Sequence, residues 1–204
     1  EEISKYNFCY GNIPELGFLR SEYTNKIHSS LGNNLVKVLV GQRRAGKSFV
    51  LRQLAKQLLD SGVPAHNILY INTEYLEFGG LKTVSDLQSL YQEYRDKLQP
   101  DGRIYLFLDE IQQVKDWERF VNSHSQDFVE SKEIFISGSN SDLLSGELAS
   151  LLSGRYVEFE ILPYSFKEYV DMQHLEANRE NYIRFLQMGM LPELFHLLPR
   201  MVLG

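Results

Sequence analysis

The chain has a single cysteine, Cys9, in 204 residues. It cannot close an internal disulfide and has no metal-ligand spacing around it, so a structural thiol in a reducing compartment is the expected setting. Long apolar runs are missing too, none approaching the roughly 20 residues that a membrane helix requires. The N-terminus, EEISKYNF, has neither the basic nor the apolar region of a secretory signal. From these absences no membrane partner is expected, and the cytoplasm is the expected location. There is no internal repeat and no low-complexity linker. The chain does not begin with Met and ends on the apolar stretch MLPELFHLLPRMVLG, both features expected of a piece trimmed from a longer protein.

Excess positive charge is also absent. The net charge is -6, and 43% hydrophobic with 24% charged residues is ordinary for a soluble globular domain with a well-buried core. Counted by halves, residues 1–100 hold 12 basic and 10 acidic groups, and residues 101–204 hold 9 and 17. The balance is +2 against -8, which gives no general electrostatic reason to expect nucleic acid, although a local patch is not excluded.

What is present is alternation. Apolar strand candidates occur at 36–41 (VKVLVG), 67–73 (NILYINT), 103–110 (RIYLFLDE), 133–140 (EIFISGSN) and 155–162 (RYVEFEIL). Helix candidates lie between them at Lys47 to Asp60, Thr83 to Lys97, Asp116 to Phe128 and Ser141 to Leu152, bounded by Gly, Pro, Ser or Asp. A run as apolar as IYLFL suits a strand buried on both faces of a parallel sheet. After Pro163 the pattern changes to SFKEYVDM and NRENYIRFLQMG, which read as helices. The expected organisation is a core over 1–163, including an N-terminal extension 1–34, and a helical segment over 164–204 that begins a truncated C-terminal region.

Between the first strand and the first helix stands GQRRAGKS, which meets G-x-x-x-x-G-K-[ST] at Gly41, Gly46, Lys47 and Ser48. Glycines let the backbone turn tightly and approach a ligand. The helix that follows directs unpaired N–H groups and the positive end of its dipole at an anion, as a nucleotide phosphate requires. Lys47 adds a mobile charge, and Ser48 can offer its hydroxyl to Mg2+. The nucleotide-holding positions are therefore Gly41, Arg44, Ala45, Gly46, Lys47, Ser48 and Phe49. The bland alternative, a basic strand-to-helix turn, is disfavoured by the buried strand before the loop and the amphipathic helix after it.

The second feature is IYLFLDE, which delivers Asp109 and Glu110 to the carboxyl end of a strand, where open parallel sheets form ligand sites. Adjacent carboxylates repel unless their tasks differ. With a phosphate loop upstream they do: Asp109 serves the outer shell of Mg2+ and Glu110 orients or deprotonates the attacking water.

One strand, NILYINT, separates the loop strand from the DE strand, and in this the sequence resembles the AAA+ branch of P-loop ATPases over residues 35 to 162. The resemblance implies a three-layer α/β P-loop fold with a parallel five-stranded sheet of order 5-1-4-3-2, followed by the short helical segment. It also implies a polar sensor of the γ-phosphate at the tip of the fourth strand. Asn140 stands there, with Ser137 and Ser139 as rivals, while SGSN also reads as a turn and helix cap. Arg155, in LLSGRYVEF, stands where the family carries an arginine that reaches a neighbouring subunit's nucleotide; a local pairing with the carboxylates of this half is the alternative. Arg43 and Arg44 read either as phosphate or DNA contacts or as solvated rim residues, and Glu74 reads as a further member of the water network.

The phrases VLVGQRRAGKS, YINTEY, LFLDEIQ, ISGSNSDLLS, LLSGRY, LPYSFKEY and GMLPEL together look like a prokaryotic family of AAA-like ATPases with a C-terminal domain of unknown function. The chain departs from that pattern in the Thr-Glu after YIN and in one missing Gly before MLPEL. The resemblance implies ATP and Mg2+ as ligands, with a homo-oligomer and a DNA or protein client as partners. The absence of N-K-x-D and of D-x-x-G disfavours GTP, and the absence of a basic lid insertion disfavours a small-molecule kinase. Two functions stay open: an ATP-hydrolysing motor or switch, and a slow-hydrolysing nucleotide-gated adaptor or DNA-associated module.

Overall fold

The VKVLV run forms β1 (Val36–Val40), every residue of which is buried. Its valines and its leucine diverge, because successive side chains of a strand point to opposite faces. Val36, Val38 and Val40 enter one apolar core and Leu39 enters another. The structure, a computed structural model, describes Phe8, residues 13–138, Leu143, Leu152 and residues 154–188.

Within those residues β1 lies between β4 (Lys132–Ser137) and β5 (Tyr156–Glu160), and β2 (Ile68–Asn72) pairs with β3 (Ile104–Asp109), which pairs with β4. All four pairings are parallel and the order is β2-β3-β4-β1-β5. Read from the other edge this is the expected 5-1-4-3-2. The insertion of β4 between β1 and β3 brings the tip of β1 and the tip of β3 to one side of the sheet with β4 between them. The loop Gly41–Ser48 and the Asp109–Glu110 pair therefore share one edge.

Helices cover both faces. After α1 (Ser21–His28), α2 (Lys47–Asp60) lays Val50, Leu51, Leu54 and Leu58 against Leu39, Tyr70, Phe107 and Phe135. On the other face α3 (Val84–Leu98) and α4 (Trp117–Ser125) contribute Leu87, Tyr91, Tyr94, Trp117 and Phe120. Burying an aliphatic or aromatic side chain of this size is favourable by about 1.5–3 kcal/mol, so the two cores hold the sheet edge rigid beneath the site.

Three departures from the sequence pattern have physical causes. The extension 1–34 contains α1, whose one aliphatic anchor is Ile27, beside buried Thr24; a two-turn polar helix leaves little periodicity to read. Helix α4 ends at Ser125, and Phe128, expected inside it, is 97% exposed. β5 is an edge strand, so Glu158 and Glu160 face solvent on either side of buried Phe159. Beyond it, α5 (Phe166–Gln173) and α6 (Arg179–Met188) form a small aromatic cluster of Tyr164, Tyr169 and Phe185. Most of the expected helix Ser141 to Leu152, and the GMLPEL phrase with the rest of 189–204, lie outside the described residues.

Candidate active site

The loop after β1 is shaped by two glycines. A Cβ on Gly41 would stand 2.3 Å from the Ile161 carbonyl oxygen, and Gly46 turns into α2 with φ 96°, a left-handed conformation that other residues adopt at a cost. Gly46 is also the cap of α2. No side chain caps this terminus and no acidic residue occupies its first turn. By contrast α3 and α5 carry complete capping boxes, Thr83 with Asp86 and Ser165 with Glu168. The open N–H groups of α2 therefore meet a cleft of about 260 Å3 lined by Arg43, Arg44, Gly46, Lys47, Ser48, Phe49, Arg52, Glu74 and Glu110. Four of these are cations and two are carboxylates, so the cleft is positive in a chain of net charge -6.

Lys47 is only 3% exposed. Its Nζ donates to the carbonyls of Gly41 at 3.2 Å and Gln42 at 3.3 Å and lies 3.6 Å from Glu110 Oε1. A buried ammonium held by two carbonyls and one carboxylate at the mouth of an uncapped helix is a cation placed for an anion. Arg43 pairs with Glu74 at 3.6 Å across the rim, where both are exposed and such a pair contributes at most about 1 kcal/mol.

Asp109 is fully buried, and both of its oxygens are engaged. Oδ1 accepts from Ser48 Oγ at 3.1 Å and from Ser137 Oγ; Oδ2 accepts from the Tyr70 hydroxyl at 2.6 Å and from Asn72 Nδ2 at 2.8 Å. Burial, then the charge of Asp109, pushes the Tyr70 hydroxyl well above the usual phenol range, which keeps it a donor. The four donors match the lone-pair capacity of an ionised carboxylate. Ser48, having donated its proton, retains oxygen lone pairs for a cation. Among the described residues no three His, Cys, Asp or Glu side chains cluster to hold a metal. The Ser48 hydroxyl would offer a hard ion such as Mg2+ one oxygen ligand, with Asp109 hydrogen-bonded to Ser48 from behind.

Glu110 follows in a left-handed conformation, φ 54° and ψ 41°. Its N–H donates to Ser137 Oγ at 3.3 Å and its carbonyl accepts from Thr73 Oγ1. The backbone is thus pinned from β4 and from the segment after β2. Its carboxylate, besides the Lys47 contact, accepts from Gln112 Nε2 at 2.6 Å.

The structure brings together Gly41, Arg44, Gly46, Lys47, Ser48, Phe49, Asp109 and Glu110 at this edge. Ala45 is fully buried beneath the loop. Ser137, a rival for the sensor position, is occupied with Asp109 and the Glu110 amide. Asn140 and Ser139 lie outside the described residues. Arg155 stands apart: its carbonyl accepts from Val36 N–H at the start of β1, and its side chain donates to Leu152 O at 3.2 Å and reaches Asn122 Oδ1 at 3.5 Å. With about 3.3 Å per strand residue, the length of β1 puts it roughly 16 Å from the loop of its own chain.

Sequence reasoning missed several contributors. Tyr70 and Asn72 alternate on one face of β2, and Asn72 is in register with Asp109, so a period-2 reading of ILYIN beside the DE strand would have found them. Arg20, 3% exposed, donates to Ala45 O at 3.1 Å, to Leu162 O at 2.8 Å and to Glu168 at 2.7 Å. It ties the N-terminal segment, the loop and α5 together. Burial alone would push the Glu168 carboxyl up, but the Arg20 and Ser165 hydrogen bonds hold it below its ordinary value. No signal in FLRSEY singles this arginine out.

The family described as AAA domain matches residues 33–170. The chain belongs to that family. An uncharacterized protein of Haemophilus influenzae is 41% identical over 158 residues, covering 78% of this AAA chain and 38% of the relative. The chain thus spans well under half the length of that relative. Among solved structures, a Walker-type ATPase of Pyrococcus abyssi matches with TM-score 0.57 and 19% identity, over 86% of this chain and 64% of that one. AMPPCP-bound DnaA from Aquifex aeolicus matches with TM-score 0.57 and 17% identity, over 86% and 57%. At these identities the two structures show a shared fold. No described helix is long and apolar enough to cross a membrane.

Proposed function

We propose that this AAA domain binds ATP with Mg2+ in the cleft above α2 and hydrolyses it, acting as a motor or switch for an attached C-terminal region. One observation carries the proposal: Lys47, buried and paired among the described residues with no acid except Glu110, faces a positive cleft at the uncapped N-terminus of α2, which follows the tip of β1.

In this reading the amides of Gly46, Lys47 and Ser48 and the α2 dipole hold the phosphates, and Lys47 exchanges its loop carbonyls for phosphate oxygens. Arg44, Ala45 and Phe49 shape the rest of the cradle. Mg2+, when bound, neutralises charge developing on the phosphate oxygens. Ser48 supplies its protein ligand and Asp109 orients Ser48 from behind. Glu110 aligns a water and takes its proton. Asn140 would sense the γ-phosphate, a role resting on the family resemblance. Arg155 lies too far from its own loop to touch it, which supports action on a neighbouring subunit in a homo-oligomer. That the AMPPCP-bound neighbour has this fold supports ATP as the nucleotide. A DNA or protein client would be engaged through the C-terminal region.

A second reading, a slow-hydrolysing nucleotide-gated module, is favoured by one contact set: Glu110 is engaged by both Lys47 and Gln112. Single-turnover hydrolysis of Glu110→Gln separates the readings. Loss of a general base slows the step by roughly 100-fold or more, with ATP still bound. A wild-type rate that is no faster than the variant's supports the gated module, and a variant as fast as an active wild type removes Glu110 from the chemistry.

A further inference from the structure

Gln112 lies two residues beyond Glu110, and its amide sits between the Glu110 carboxylate and Gly138. Nε2 donates to Glu110 Oε2 at 2.6 Å. Oε1 is buried without a hydrogen-bond partner and lies where a Cβ on Gly138 would come within 2.4 Å of it. Only a residue without a side chain leaves room for the amide at that point, just past the tip of β4. The orientation of the amide is fixed by chemistry, since the reverse would set oxygen against the carboxylate.

The backbone of Glu110 is pinned by Thr73 and Ser137, so only the direction of its carboxylate remains to be set. Two donors reach it. Lys47 approaches Oε1 at 3.6 Å and Gln112 holds Oε2 at 2.6 Å. A phosphate in the loop draws Lys47 away, because a doubly charged oxygen cluster outcompetes one carboxylate at 3.6 Å. Gln112 then becomes the donor that keeps Oε2 in place and leaves Oε1 free to accept from water. We propose that Gln112 is the positioning residue of Glu110, setting the direction of its carboxylate for water activation. The inference rests on the reading of Glu110 as the base.

The test uses single-turnover hydrolysis and ATP affinity of the full-length protein carrying Gln112→Met, which keeps the volume under Gly138 and removes the donor, and Gln112→Glu, which sets a second carboxylate against the first. Both variants should melt with the wild type, bind ATP with unchanged affinity and hydrolyse about 10-fold or more slowly, a fraction of the general-base effect. In a Glu110→Gln background Gln112→Met should cause no further loss, because both changes act through one carboxylate. Wild-type turnover in Gln112→Met beside a slow Glu110→Gln overturns the positioning role alone, as does an added loss in the double variant. Full turnover in Glu110→Gln overturns the base assignment, and the role of Gln112 with it.

Discussion

Both oxygens of Asp109 are committed to hydrogen bonds inside the protein, and this decides what a mutation there would do. Asparagine has the same shape, but its amide nitrogen would face two of the four donors from Ser48, Ser137, Tyr70 and Asn72. Asp109→Asn should therefore lower stability by about 1–3 kcal/mol, the usual cost of leaving buried polar groups unsatisfied, besides weakening Mg2+-dependent nucleotide binding. Denaturant unfolding with and without nucleotide checks both effects. The legible part of the site, GQRRAGKS and Asp109–Glu110, is what fits into short stretches of sequence. Tyr70 and Asn72 become legible only when the period-2 pattern of ILYIN is set beside the DE strand, whereas Arg20 and Gln112 were not legible, because their roles come from a contact across 148 positions to Glu168 and from a side chain that turns back on its neighbour.

At the scale of elements, α4 and the loop after it carry a pH-sensitive packing feature. The ring of His124 packs on Phe120 at 4.2 Å and Tyr91 at 4.5 Å, with Nε2 3.0 Å from Gln88 Oε1. Burial, and then the charge of Lys132, pushes its pKa down from 6.5 to about 4, against the opposing pull of Asp127 and Glu130. Between those values the unfolded chain takes up a proton that the folded chain refuses. The stability contribution is therefore intact above 6.5, falls as pH drops through the window and levels off below about 4. Melting temperatures of wild type and His124→Gln, compared at about pH 7 and about pH 4.5, should show the smaller acid loss in the variant. The same elements show why boundaries were harder to read than strand positions. Five strands stood out as apolar runs, whereas α4 stops at Ser125 because Phe128 and Val129 face solvent, a tertiary outcome that WERFVNSHSQDFV does not announce.

At the scale of the whole molecule, the sheet order puts the phosphate loop and Arg155 at opposite ends of β1. One subunit therefore cannot complete its own site with this arginine, and hydrolysis per subunit should rise with concentration if neighbours complete each other. Mixing an Arg155→Ala chain with a Lys47→Ala chain should recover activity, since a mixed interface unites an intact loop with an intact arginine. No recovery from a full-length protein that is oligomeric and active would leave Arg155 as a local strut against Leu152 and Asn122. All of this presupposes that the cleft above α2 takes nucleotide, and equilibrium titration of Mg-ATP against wild type and Lys47→Ala tests that most directly. The wild type should bind saturably, and Lys47→Ala should show no binding while keeping the wild-type circular dichroism. Equal affinity in the two proteins would contradict the account.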